Sequence, residues 1–229
     1  MALNRVQMID DQVPVKTALV SVWDKSGLDL LVSGLIHASP GVKIISTGGT
    51  HSAIGQILGP SSAQRLSQIS EYTGQPEMQG GLVKTLDFKV YLGLLSETYN
   101  PAHRQDLARS GAVPIDLVVV NLYPFSAAVA SADVTPETAR SNIDIGGPCM
   151  VRAAAKNFHR VAVLTDPADY DPVVRELAAS GGSLSLATRW RLAQKAFSVT
   201  ASYDAAISAH LARVGFEQVL ADYDVKRGG

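Results

Sequence analysis

The 229-residue sequence has a single cysteine, few aromatics and no surplus of either charge. Cys149 alone cannot form an internal disulfide or a zinc site by itself, and its isolation suits a reducing compartment. Twenty Lys and Arg face 21 Asp and Glu, giving a net charge of −1 and a pI near 6.5. A nucleic-acid coat or membrane-surface binder would carry a basic excess, so both classes are excluded. No apolar run approaches the roughly 18 residues of a membrane span. Asp10 and Asp11 sit where a signal peptide would need an apolar stretch, so a cytoplasmic protein is expected. The histidines, at 37, 51, 103, 159 and 210, are isolated and lack metal-ligand spacing. No G-x-S-x-G, Walker A or G-x-G-x-x-G pattern occurs, and neither a metal nor a redox cofactor is expected.

What the chain does have is aliphatic material, 46% of it hydrophobic, enough for a sizeable core. Ala18–Val22, Val42–Ile45, Leu117–Leu122 and Val161–Leu164 are apolar at consecutive positions, as strands buried on both faces are. Between them lie helical patterns. Ser26 is expected to cap a helix carrying Leu28, Leu31, Leu35 and Ile36 and ending at Pro40. Asn100-Pro101 and Thr135-Pro136 open others, and a further helix runs from near Asp171-Pro172 to Gly181-Gly182. From Ser185 to about Arg213 one long helix is expected, with Leu186, Trp190, Ala193 and Phe197 on one face. Strands alternating with helices predict an α/β fold with a mainly parallel sheet. One domain is expected over 17–213, with an N-terminal extension at 1–16 and a loosely held C-terminal tail at 214–229.

In such a sheet, ligands bind beyond the carboxyl ends of the strands, and several segments fall there. Ser21–Gly27 follows the first strand, where an ordinary strand–turn–helix is the bland reading. Ser46-Thr47-Gly48-Gly49-Thr50 precedes a helix. Adjacent glycines admit an anion to backbone N–H groups, although a plain turn has the same composition. Lys84 follows Gly80-Gly81 and adjoins Thr85, again suggesting an anion or simply a solvated lysine. Then come Asn121–Phe125, Asn142–Gly147 and Ala153–Asn157. Here Tyr123, Asp144 and Lys156 read either as chemistry or as a core filler, a cap and a surface charge. Cys149, near a helix start, reads as a small packed residue.

The segments S-V-x-D-K at 21–25, STGGT at 46–50, YTG-x-PEM at 72–78, VKTL at 83–86, DLVVVNLYPF at 116–125, IDIGG at 143–147, RAAAKN at 152–157 and KAF…T…YDAAI at 195–207 occur in this order. Together they resemble the inosine monophosphate (IMP) cyclohydrolase domain of the bifunctional purine-biosynthesis enzymes. The resemblance spans about Ala18 to Leu211, without the family's larger formyltransferase domain. It implies a methylglyoxal-synthase-like three-layer α/β fold and dehydrative closure of 5-formamidoimidazole-4-carboxamide ribotide to IMP. It implies phosphate and neighbouring contacts from Trp23, Asp24, Lys25, Thr47, Gly48, Gly49, Thr50, Leu82, Val83 and Thr85. Base and ribose contacts would come from Val120, Asn121, Tyr123, Asp144, Ile145 and Gly146. The implied proton-transferring residue is Lys156, supported by Lys84, Tyr123 and Asp144. The family's dimers imply a homodimer, and a separate formyltransferase is a further implied partner.

The sequence departs from the family pattern at three places. Trp23 replaces a common serine, Leu82 replaces an arginine, and Asp87-Phe88 replace His-Pro. An absent arginine contact to phosphate costs on the order of 1.5–3 kcal/mol unless another cation compensates. An altered ribotide substrate is therefore one alternative. A non-catalytic regulatory domain that binds a phosphorylated metabolite is another. Methylglyoxal synthase would require its own aspartate and histidine motifs, which do not occur.

Overall fold

The computed structural model describes residues 5–76, 84–131 and 133–226. In chain order these form β1 (Gln12–Pro14), β2 (Thr17–Val20), α1 (Leu28–Ala38), β3 (Lys43–Ser46), α2 (Gly48–Leu58), α3 (Ser62–Arg65), β4 (Leu66–Gln68), α4 (Ile69–Thr73), α5 (Phe88–Leu95) and α6 (Pro101–Ser110). There follow β5 (Leu117–Val119), α7 (Phe125–Ala128), α8 (Pro136–Ser141), α9 (Gly146–Lys156), β6 (Ala162–Leu164), α10 (Tyr170–Ser180), β7 (Ser183–Ser185), α11 (Leu186–Leu211) and α12 (Phe216–Asp222).

The main sheet has five parallel strands in the order β4-β3-β2-β5-β6. Its central strands are buried on both faces, and consecutive residues serve different layers. Ala18 and Val20 pack with α1, α2 and α10, whereas Leu19 packs with α5, α9 and α11. The same alternation holds for Leu117 and Val119 against Val118. The result is a three-layer α/β fold.

Several helix ends follow the sequence signals. Asn100 Oδ1 accepts from the Ala102 and His103 amides, Thr135 Oγ1 from Thr138 N, and Ser185 Oγ from Thr188 N. The start of α1 differs. Gly27, with φ +69°, is the residue before the helix, and the Ser26 side chain makes no cap bond. Instead the Asp24 carboxylate accepts from Ser26 N in a local turn, and Gly27 leads from it into the helix in the left-handed conformation that glycine adopts freely.

The face of α11 differs too. Leu192, Ala193, Ala196, Thr200 and Tyr203 point inward, whereas Trp190 and Phe197 remain exposed. Close packing of α11 on α9 requires small side chains at the contact, and the bulky rings lie beside it. Within the expected N-terminal extension, β1 pairs antiparallel with β7. Within the expected tail, α12 packs on α8: Asp222 Oδ2 accepts from Glu137 N at 2.6 Å, and Tyr223 donates to the Glu137 carboxylate.

Two buried arginines tie the layers together. Arg160 pairs with Asp116, whose carboxylate also accepts from Lys16 N and Thr17 N at the start of β2. Arg189, with no more than 1% of its surface exposed, donates to the carbonyls of Asp10, Asp11, Phe158, His159 and Leu184.

Candidate active site

The chain leaves β2 toward β3 and β4 at one edge, then returns to β5 on the other side of β2. Loops leaving β2 and β5 therefore diverge and open a crevice at the carboxyl end of the sheet. Asn121 holds its walls at a fixed separation. Its Oδ1 accepts from Trp23 N at 2.7 Å and Asp24 N at 2.9 Å, and its Nδ2 donates to Asp24 O at 2.8 Å. Above this brace lies a cavity of about 480 Å³.

One end of the cavity is the start of α2. Thr50 Oγ1 accepts from Val22 N and donates to Val22 O, and Thr47 and Ser21 share a hydroxyl hydrogen bond of 2.7 Å. These threonines are buried and hold the β2 and β3 loops together. The amides of Gly48 and Gly49, in the first turn, have no carbonyl within the helix to bond. Gly48 has φ +39°, and a Cβ there would lie 3.5 Å from Lys84 Nζ. A lysine ammonium thus stands over a helix N-terminus, which is an arrangement for an anion.

The other end is the start of α9. Asp144 Oδ1 accepts from Gly147 N at 2.9 Å, and Asp144 N donates to the Tyr203 hydroxyl at 2.8 Å. Burial pushes the Asp144 carboxyl above its ordinary value, outweighing the Gly147 amide, which lowers it. Any side chain at the two glycines of this turn would displace the groups that line the site. A Cβ on Gly146 would lie 2.7 Å from Thr85 Oγ1, and one on Gly147 would lie 2.3 Å from Asp144 Oδ2. Adjacent residues Lys84 and Thr85 therefore link the two ends: Lys84 near α2, Thr85 against α9. Trp23, Tyr123 and Ile145, each more than half exposed, line the cavity.

The cavity brings together Trp23, Lys25, Thr47, Gly48, Gly49, Thr50, Lys84, Thr85, Val120, Asn121, Tyr123, Asp144, Ile145 and Gly146 from the expected site. Leu82 and Val83 lie outside the described residues. Asp24 lines a neighbouring cavity of about 400 Å³, which shares Trp23, Asn121 and Tyr123 with the first. Lys156 is not brought to either. It ends the 11-residue α9 that begins at Gly146, about 15 Å further along the axis, and lines a third cavity with Arg152, Phe158, Trp190 and Phe197. The Asp87-Phe88 departure has a local explanation: Asp87 Oδ1 accepts from Lys89 N and caps α5.

Ser141 and Met150, which no motif marks, line the cavity, as does Gly147 of the IDIGG segment, and Tyr203 supports it. The signal in the sequence for Tyr203 is the YDAAI segment. Among the described residues, no group of three or more His, Cys, Asp or Glu is placed to hold a metal ion, and no helix is long and apolar enough to cross a membrane.

Residues 31–149 match the MGS-like domain family, and residues 154–226 match the AICARFT/IMPCHase bienzyme family. The chain is 47% identical over 198 residues to the bifunctional purine biosynthesis protein PurH of Leptospira biflexa, covering 86% of this chain and 37% of that protein. It is 49% identical over 192 residues to PurH of Synechococcus sp. (strain WH7803), covering 84% and 35%. The chain thus spans little more than a third of the curated relatives it matches. The crystal structure of ForH superposes with a TM-score of 0.69 at 33% identity, over 84% of this chain and 97% of that one. With the parallel sheet, the two glycine-opened helices and the ordered motifs, these matches show that the chain belongs to the MGS-like domain family and corresponds to the IMP cyclohydrolase domain of the bifunctional purine-biosynthesis enzymes.

Proposed function

We propose that this cleft binds 5-formamidoimidazole-4-carboxamide ribotide and closes its second ring to give IMP and water. The observation that carries the reading is the joining of an anion site and a desolvated carboxylate by Lys84 and Thr85 within one cavity. The ribotide phosphate fits the Gly48-Gly49 amides beneath Lys84. The imidazole and its two substituents then extend toward Asp144–Gly146, bordered by Tyr123.

Ring closure forms a bond between the carboxamide nitrogen and the formyl carbon of the same molecule. Holding the two groups in a reactive rotamer supplies much of the acceleration, because oriented intramolecular reactions reach effective molarities of roughly 10⁵–10⁸ M. The carboxamide proton passes to Asp144 as the C–N bond forms. The developing carbinolamine oxygen is stabilised by the Gly146 amide, which has no intrahelical acceptor, while the Lys84 ammonium holds the phosphate at the other end. That proton returned to the oxygen gives the carbinolamine hydroxyl. Loss of the remaining proton from the former formamide nitrogen, with a second proton delivered to the hydroxyl, then releases water and restores the aromatic ring, with the Tyr123 hydroxyl in range of the same cavity. Lys156 joins this scheme only when a second copy presents it, since its own cleft is beyond the reach of a lysine side chain.

The purified chain, mixed with the formamido ribotide and no added metal, should produce IMP, followed by its ultraviolet absorbance change. Saturable ribotide binding without IMP formation would favour a regulatory ligand-binding domain. Absence of binding by folded protein would point to an altered substrate.

A further inference from the structure

Tyr203 projects from α11 toward the cleft, and its ring is buried against Phe125 with centroids 6.3 Å apart in an edge-on arrangement. Phe125 is itself almost wholly buried and meets His210 edge-on at 5.7 Å. The ring is thus held by aromatic packing. The hydroxyl accepts from Asp144 N at 2.8 Å and lies 3.5 Å from the carbonyl of Asn142, to which it donates. Asp144 is consequently fastened twice: its amide by a residue 59 positions away, and its carboxylate by Gly147 N. The same packing reaches the other side of the cleft, because Phe125 N donates to Tyr123 O at 2.8 Å in a tight turn. Anchoring Phe125 therefore restricts where Tyr123 can stand.

We propose that Tyr203 is a positioning residue for the ring closure, setting the Asp144 carboxylate and the first amides of α9 at the reacting atoms. The proposal rests on the cyclohydrolase reading. It makes the YDAAI segment part of the site, although Tyr203 does not line the main cavity. A carboxylate that moves a proton must hold its place to within a fraction of an ångström. The turn leaving α8 holds the loop as far as Ile143 N, which donates to Arg140 O, and the next amide, Asp144 N, goes to the Tyr203 hydroxyl. An amide-to-phenol bond from the rigid α11 supplies that constraint.

The test compares Tyr203→Phe with Tyr72→Phe. The first keeps the ring packing and removes only the hydroxyl. The second removes an equivalent bond outside the cavity lining, where the Tyr72 hydroxyl accepts from Val113 N at 3.1 Å. Both variants should lose similar thermal stability. Only Tyr203→Phe should lower kcat, by about tenfold (about 1.4 kcal/mol), with KM changed less than threefold. Its acid limb in kcat should also move down toward an ordinary carboxylate value, because a loosened loop admits water to Asp144. Amide hydrogen exchange over residues 141–147 should accelerate in Tyr203→Phe alone. Unchanged kcat and an unchanged acid limb in Tyr203→Phe, with wild-type turnover intact, would overturn the proposal. If the wild type makes no IMP, the cyclohydrolase reading fails separately. Exchange then decides whether Tyr203 positions the loop: acceleration confined to 141–147 supports it, and no change overturns it.

Discussion

Replacing Gly147 by alanine places a methyl group 2.3 Å from Asp144 Oδ2 and 2.9 Å from Leu122 Cδ2. Ordinary contact begins at 3.4 Å, so the carboxylate must retreat by about 1 Å, the difference between 3.4 and 2.3 Å. A misplacement of that size at a reacting group costs about 100-fold in rate. The helix itself should tolerate the change, because alanine is better than glycine by up to about 1 kcal/mol inside a helix. Gly147→Ala should therefore lower kcat by about two orders of magnitude while its urea midpoint changes little. Gly55→Ala is the matched control. Gly55 lies within α2, and its added Cβ meets Leu66 at 3.8 Å, an ordinary contact. That variant should gain a few tenths to about 1 kcal/mol of stability and keep wild-type turnover. The assay is ribotide conversion to IMP at saturating substrate. A Gly147→Ala enzyme with kcat within threefold of wild type would refute the steric argument for this turn and weaken the role given to Asp144.

Three other outcomes follow from the same geometry. Asp144→Asn keeps an oxygen for the Gly147 amide but cannot take a proton, so kcat should fall at least 100-fold, the lower end for general acid–base groups, with the fold intact by circular dichroism. Because burial raises the Asp144 pKa, wild-type kcat should fall on acidification through a value above the ordinary carboxylate range. The stability effect has the opposite sign: this group's favourable contribution is present below its unfolded value and lost as pH rises through the folded one, which paired pH–rate and pH–denaturation curves would reveal. Arg189→Met leaves five carbonyls, that of Leu184 buried and the others partly so, without their arginine donor and should destabilise the chain by at least about 3 kcal/mol, measured by urea denaturation.

The sequence made the main sheet legible where strands are buried on both faces. The apolar runs around Ala18, Ile44, Val118 and Val163 have no solvent side, and they became β2, β3, β5 and β6. The strands not anticipated, Gln12–Pro14, Leu66–Gln68 and Ser183–Ser185, are three residues long and largely polar. Their pairing comes from tertiary neighbours, not from a local hydrophobic pattern. The α11 face is not the one the sequence suggests, because Trp190 and Phe197 dominate any count of hydrophobicity. The contact with α9 is instead made by Ala193 and Ala196, whose value lies in being small.

Much of the cleft was legible because glycines and hydroxyls cluster at strand ends. Their roles were less so. Thr50 and Asn121 use their polar atoms to brace neighbouring loops, which no spacing reveals. Lys156 shows the converse: its motif is strong, but the length of α9 carries it away from Asp144. Helix geometry alone would have indicated that separation once Gly146 was known to begin the helix.

The central claim is that one nucleotide spans the starts of α2 and α9, and a structure of the chain with bound IMP tests it most directly. The phosphate should lie on the Gly48-Gly49 amides beneath Lys84, with the hypoxanthine edge at Asp144–Gly146. A nucleotide bound instead in the cavity beside Lys156, or reversed with its phosphate at Asp144, would contradict it.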